Sequence, residues 1–154
     1  MNYKALNNLA TMFFDSAEHF SQKPFLWAKR NGKYISESYS ETKNKVQLLA
    51  DSLHLLGVEK GDRVVVVSEN RPEWVIADLA IISLGGITVP AYTTNTTDDH
   101  LYILDHSEAK IAIVSGDKLA MRLMNAMSKS ASCKTIISIE ELSSDVDRSL
   151  KHLD

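Results

Sequence analysis

Carboxylates and imidazoles meet twice in this sequence, at Asp98-Asp99-His100 and at Asp105-His106. These are the residue types that ligate divalent metals. Neighbours on a helix point about 100° apart, however, so neither run can close on one ion. Asp99 and His100 at a helix start read instead as capping and surface groups. Ser, His, Asp and Cys are all present, but no G-x-S-x-G elbow presents a nucleophilic serine. The single Cys133 precedes an apolar run and reads as a small structural hydrophobe. Neither a G-x-x-x-x-G-K-[ST] loop nor a spaced-glycine dinucleotide turn occurs. Gly116 stands alone before a helix and reads as a turn residue rather than a phosphate contact. Met121, Met124 and Met127 fall on one helical face and read as core packing. Asn95-Thr96-Thr97 matches a glycosylation acceptor by chance, since no export signal accompanies it.

The elements that position these residues follow from apolar spacing. Leu6, Leu9, Phe13, Ala17 and Phe20 predict an amphipathic helix with one buried stripe. Phe25–Lys29 and Lys33–Tyr39 flank Asn31-Gly32, a dipeptide suited to a type I′ turn, and predict a hairpin whose weakly amphipathic second arm sits at an edge or against a partner. Ser38 and Glu41 form a capping box. The helix they open carries Val46, Leu49, Ala50, Leu53 and Leu56 on one face and stops at Gly57.

From Arg63 the pattern changes. Val64–Val67 is a continuous β-branched run, as expected of a strand buried on both faces. Pro72 precedes a helix over 73–84, ended by Gly85-Gly86, and a strand over 87–90 follows. A helix over 98–107 turns Leu101 and Leu104 inward, and a strand over 111–114 comes next. Asp117 is expected to cap a helix carrying Leu119, Leu123 and Met127, before a strand over 135–139. The strand starts at 63, 87, 111 and 135 are each 24 residues apart, the length of one βα unit, and the units share no residues beyond that pattern. Right-handed crossovers then predict an α/β fold with a three-layer, mostly parallel open sheet, preceded by an N-terminal helix and β-hairpin. Three regions are expected: 1–39 as helix and hairpin, 40–139 as the α/β sheet layer, and 140–154 as a helix or linker with Leu142, Val146, Leu150 and Leu153 at helical spacing.

Charge and composition exclude several classes. The 154 residues carry 17 Lys+Arg against 20 Asp+Glu, a net charge of -3, which gives no electrostatic footprint for nucleic acid. The densest basic stretch, Lys23–Lys33, reads as a solvated hairpin face rather than a phosphate patch. The lone cysteine fits a reducing, cytoplasmic compartment. The apolar stretch at Leu9–Phe14 stops at Asp15 without a cleavage site. The most apolar window, Trp74–Ala91, is broken by Asp78 and Gly85-Gly86 and is too short to span a bilayer.

In an open α/β sheet ligands sit outside the carboxyl ends of the strands, so the loops after Val67, Pro90, Val114 and Ile139 are the places to look. Two have distinctive wording: Ser68-Glu69-Asn70-Arg71-Pro72-Glu73-Trp74, and Leu84-Gly85-Gly86-Ile87-Thr88-Val89-Pro90-Ala91-Tyr92-Thr93-Thr94-Asn95-Thr96. Preceded by Leu56-Gly57-Val58-Glu59-Lys60-Gly61-Asp62-Arg63-Val64, this order resembles the acyl-adenylate-forming, AMP-binding superfamily, most closely its long-chain fatty acyl-CoA synthetases. Ser38-Tyr39-Ser40-Glu41 resembles that family's S/T-Y-x-E helix start, and Gly85, Gly86 and Pro90 its small-residue turn into a proline-ended strand.

The resemblance implies the N-terminal portion of an AMP-forming ligase that joins a fatty acid to coenzyme A through an acyl-adenylate. ATP, Mg²⁺ and coenzyme A serve the complete enzyme, and the rest of the same polypeptide is the expected partner. None of the family's catalytic motifs occurs here, so no catalytic, cofactor or metal residue is assigned and none of these cofactors is expected for this chain alone. Asn70, Trp74, Gly85, Gly86 and Pro90 are expected to shape the sheet layer, and Tyr92, Thr93, Thr94 and Asn95 to border the cleft of the complete enzyme. A non-catalytic module dimerising through the hairpin and first helix, a stand-alone doubly wound nucleotide-binding module, and a parent enzyme peripheral to a membrane are further expectations.

Overall fold

A computed structural model describes residues 8–146; Leu6, Leu150 and Leu153 of the expected apolar stripes lie outside them. The chain forms two compact units interleaved in sequence, one from residues up to 60 with 71–86, the other from 61–70 with 87 onward. No described helix is long and apolar enough to cross a membrane.

The first unit holds α1 (Leu9–His19), β1 (Pro24–Arg30), β2 (Lys33–Ser38), α2 (Tyr39–Leu55) and α3 (Pro72–Ser83). Asn8 caps α1 by accepting the Thr11 N–H at 2.9 Å, and Ala10, Phe13 and Ala17 are buried. Leu9 and Phe20, expected in the same stripe, are exposed. They are the first residue and the C-cap of the helix, where the packed stripe gives out. Inside it, Phe13 lies 5.5 Å from Phe25, whose ring stacks on Tyr39 at 4.3 Å. β1 and β2 pair antiparallel across Asn31 and Gly32, whose φ angles of 50° and 79° are the positive values a type I′ turn needs.

The expected capping box opens α2: Ser38 Oγ accepts the Glu41 N–H at 3.2 Å and the Glu41 carboxylate accepts the Ser38 N–H at 2.7 Å. Thr42, Val46, Ala50 and Leu53 are buried, whereas Leu56 is an exposed C-cap and drops out of the expected face. Pro72 takes the first position of α3, where its missing N–H costs nothing. Gly85 ends it at φ 74°; a Cβ there would also lie 3.0 Å from the Lys60 side chain, so its lack of one is used twice.

The second unit contains β3 (Arg63–Val67), β4 (Ile87–Ala91), α4 (Thr97–Ser107), β5 (Ile111–Val114), α5 (Asp117–Met127) and β6 (Thr135–Ser138). The strands form one parallel sheet in the order β4-β3-β5-β6. Central β3 and β5 are buried along Val64–Val67 and Ile111–Val114, while edge strands β4 and β6 are mostly half-exposed. That gradient is why the continuous apolar runs fall in the middle of the sheet. Pro90, opposite Val66, sits on an edge strand, where a missing ladder donor is tolerated. Val65, Val67, Ala112, Val114, Leu104, Leu119 and Leu123 form one core cluster. The architecture is thus the expected α/β one: a parallel sheet flanked by helices, after a helix and an antiparallel hairpin.

Three further expectations for the helices change. Met121 is exposed while Met124 and Met127 are buried, because positions 121 and 124 straddle the edge of α5's apolar face. Asp117 is the first residue of α5 and not its cap; Gly116 holds the cap position, and Asp117 Oδ1 instead accepts the Ser143 N–H at 2.9 Å. The third concerns His100 of α4.

Candidate functional site at the carboxyl ends of the strands

The chain leaves β3 for β4 on one side and crosses back to β5 on the other, so the direction of winding reverses between β3 and β5. In open parallel sheets this switch point opens a crevice outside the strand ends, here beyond Val67 and Val114. The backbone of Ser115 is tied into this rim. Its N–H donates to the Val67 carbonyl at 3.2 Å and its own carbonyl accepts the Glu140 N–H at 3.1 Å. Ser115 is correspondingly buried.

Gly116 follows, its carbonyl accepting the Leu119 and Ala120 N–H groups at 3.1 and 2.9 Å. A Cβ at this position would stand 2.8 Å from Glu140 Oε2. With Asp117 beside it, the N-terminus of α5 is therefore lined by carboxylates. Asp117 in the first turn supplies negative charge to the helix dipole here. Gly116 is the N-cap of α5, with extended backbone at φ 175°.

The Tyr92–Asn95 loop leaves the end of β4. Its Tyr92 carbonyl accepts the Asn95 N–H at 3.1 Å, closing a turn. Arg122 of α5 donates to the Thr93 carbonyl at 3.0 Å and holds the turn down. Tyr92 is 80% exposed, Thr94 is exposed, and Thr93 and Asn95 are half-buried. Thr96 and Asp99 then form a second reciprocal capping box, at 3.2 and 2.9 Å, which sequence spacing had left as simple capping. Hydrogen bonds from the Thr96 backbone and side chain hold the Asp99 carboxyl below the usual carboxylate range.

His100 is not the surface group expected from its acidic neighbours. It is fully buried, and neither ring nitrogen has a hydrogen-bond partner. Burial lowers its pKa, the Asp99 charge opposes that shift, and Arg122 reinforces it. The signal was its spacing: position 100 lies four residues before fully buried Leu104, on the inward face of α4. Cys133 is buried as expected, and burial pushes its thiol up to about 11, far from a reactive thiolate.

Ser68, Glu69 and Asn70 form the polar exit from β3, with Ser68 Oγ donating to the Glu69 carbonyl at 3.0 Å. Among the described residues no three His, Cys, Asp or Glu side chains converge as metal ligands. The glycine-capped N-terminus of α5 faces the rim with Asp117 in its first turn and Glu140 beside Gly116.

The match to the model of the AMP-binding enzyme family runs over residues 13–153. A long-chain-fatty-acid–CoA ligase of Mycobacterium tuberculosis is 32% identical over 114 residues, covering 74% of this chain and 19% of the relative. The chain therefore spans about a fifth of the length of the curated relatives it matches. Among solved structures, a benzoate CoA ligase from Burkholderia xenovorans superposes with a TM-score of 0.75 at 25% identity, over 95% of this chain and 28% of that one. The N-terminal domain of FACL13 from Mycobacterium tuberculosis does so at 0.74 and 22% identity, over 97% of this chain and 37% of that one. The order of elements, the sheet and the sequence match converge, and the chain belongs to the AMP-binding enzyme family.

Proposed function

We propose that this chain is the N-terminal portion of an AMP-forming long-chain fatty acid–CoA ligase, in which it supplies the sheet layer that supports the active site. The family match over 13–153, together with relatives named for long-chain fatty acids, carries the reading. Such a ligase joins a fatty acid to coenzyme A at the expense of ATP, with AMP and pyrophosphate as products. ATP, Mg²⁺ and coenzyme A serve the complete enzyme, and none of the family's catalytic motifs that would hold them occurs in this chain. What this chain's own residues contribute is position. The paired carbonyl of Thr93 and the turn at Tyr92 fix a loop that borders the cleft, and buried Ser115 fixes the rim beside it. The rest of the polypeptide is the natural partner, and a reducing cytoplasm suits the buried thiol of Cys133.

Pyrophosphate exchange with ATP and a fatty acid tests both halves. The isolated chain gives no exchange above blank, and turnover would overturn the division of labour. A longer polypeptide that carries this chain gives exchange dependent on long-chain fatty acid; its absence would overturn the ligase reading.

A further inference from the structure

We propose that His100 is the trigger of an acid-operated latch on the Tyr92–Asn95 loop: on taking up a proton it opens the loop and the first turn of α4 while the sheet stays folded. The imidazole is fully buried, and neither ring nitrogen has a hydrogen-bond partner. A protonated ring carries two N–H donors, and both would be left unmet beside a desolvated charge. His100 is also the fourth residue of α4, at the positive end of the helix dipole, where a cation is disfavoured.

The charges around the ring give it no local relief. α4 packs against α5 and β4. β4 has no titratable side chain. On α5, Lys118 is exposed and Asp117 is committed to the Ser143 N–H, which leaves Arg122 as the charge that acts on His100. Burial opposes the charged ring most, Asp99 favours it and Arg122 opposes it. The Asp99 carboxylate is already engaged, accepting from the Thr96 N–H and hydroxyl at 2.9 and 2.8 Å. Asp98, Asp105 and His106 lie on the exposed side of α4.

What yields is decided by what holds each neighbour. One turn further along α4, Leu104 is fully buried in the core cluster of the sheet. Before the helix, the loop is exposed at Tyr92 and Thr94 and rests on the Tyr92–Asn95 turn bond, the Thr96–Asp99 box and the Arg122 bond to the Thr93 carbonyl. The guanidinium that opposes the proton is therefore the one that anchors the loop. Relief comes when loop and first turn detach and the imidazole reaches water, since segments with few apolar contacts open at the least cost. The latch is a property of this loop and is independent of the ligase reading.

Native-state amide exchange of the full chain at pH 7.5 and pH 5.5, corrected for intrinsic exchange rates, tests it. The Asn95 and His100 N–H groups donate to the Tyr92 and Thr96 carbonyls and report on the segment. Their protection should fall by about threefold to tenfold at pH 5.5, the range open to one proton taken up near pH 6.5 in the opened state. Protection at Val66 and Ile113, in the central strands, should hold. His100→Leu should abolish the fall, His106→Gln should leave it, and Arg122→Gln should lower loop protection already at pH 7.5. Flat loop protection in the wild type, a fall shared equally by the strand amides, a fall that persists in folded His100→Leu, or unchanged loop protection in Arg122→Gln overturns the proposal. If His100→Leu does not fold, the wild-type comparison of loop and strand amides decides.

Discussion

In the sheet unit, Val64–Val67 and Ile111–Val114 are buried along their whole length, and Val65, Val67, Ala112 and Val114 close over one cluster with Leu104, Leu119 and Leu123. In the other unit burial is carried by single helix faces and an aromatic group around Phe13, Phe25 and Tyr39, while Leu48, Leu55, Trp27 and Tyr34 face outward. The difference is between a layer whose central strands are buried throughout and a set of amphipathic pieces, each with one inward stripe. It teaches where sensitivity to substitution should concentrate. Leu123→Ala, inside the cluster, should cost about 2–5 kcal/mol, since a lost side chain leaves a cavity there. Leu55→Ala, at a position 86% exposed at the end of α2, should stay within about 0.5 kcal/mol. Urea denaturation of the two variants measures the contrast, and equal losses would erase it.

That same difference decides how much could be read beforehand. The parallel sheet was legible because buried central strands are written as unbroken apolar runs, spaced 24 residues apart by intervening helices. The hairpin was legible from Asn31-Gly32 and the start of α2 from Ser38 and Glu41, since turns and caps depend on local chemistry. What escaped was decided by tertiary neighbours. Leu9, Phe20 and Leu56 have the right type at the right spacing but stand at helix ends. Asp117 was diverted from capping by the Ser143 N–H, a donor 26 residues away. The candidate site shows the same division. The switch-point loops could be named from strand order, but nothing local says that Arg122 would hold Thr93 or that Glu140 would crowd Gly116.

His100 is where the sheet unit departs from its own rule, as a polar side chain in an apolar setting without a partner. A histidine whose folded pKa lies below its unfolded value near 6.5 favours the folded chain only above that value. As pH falls through it, unfolded chains take up the proton more readily and stability is lost. Arg122 makes the charged form still less welcome, and Asp99 only partly offsets this. His100→Leu should therefore remove the component of acid sensitivity that begins near pH 6.5, and should stabilise by about 1–3 kcal/mol where the unpaired nitrogens had been a burden. Thermal denaturation as a function of pH reads both effects; an unchanged pH profile would mean that the imidazole finds a partner in solution.

The smallest effect compares the units on a feature they share. Ser38 with Glu41 opens α2 and Thr96 with Asp99 opens α4, each box joining the same two pairs of atoms. Ser38→Ala and Thr96→Ala remove the acceptor for one first-turn N–H and should each cost about 1 kcal/mol. If capping is purely local the two losses match. If the loop that Thr96 closes is also held by Arg122, Thr96→Ala loses less, because the Thr93 carbonyl anchor remains. Both acids are held below the usual carboxylate range, first by the backbone hydrogen bond from the cap residue. A carboxyl with a lowered folded pKa stabilises above its unfolded value and loses that contribution as pH falls through the folded one. Protonation should therefore weaken both helix starts well below the pH at which His100 acts. Amide exchange at Glu41 and Asp99 in the two alanine variants separates these outcomes, and equal protection at the two starts would make the caps interchangeable despite the different layers they serve.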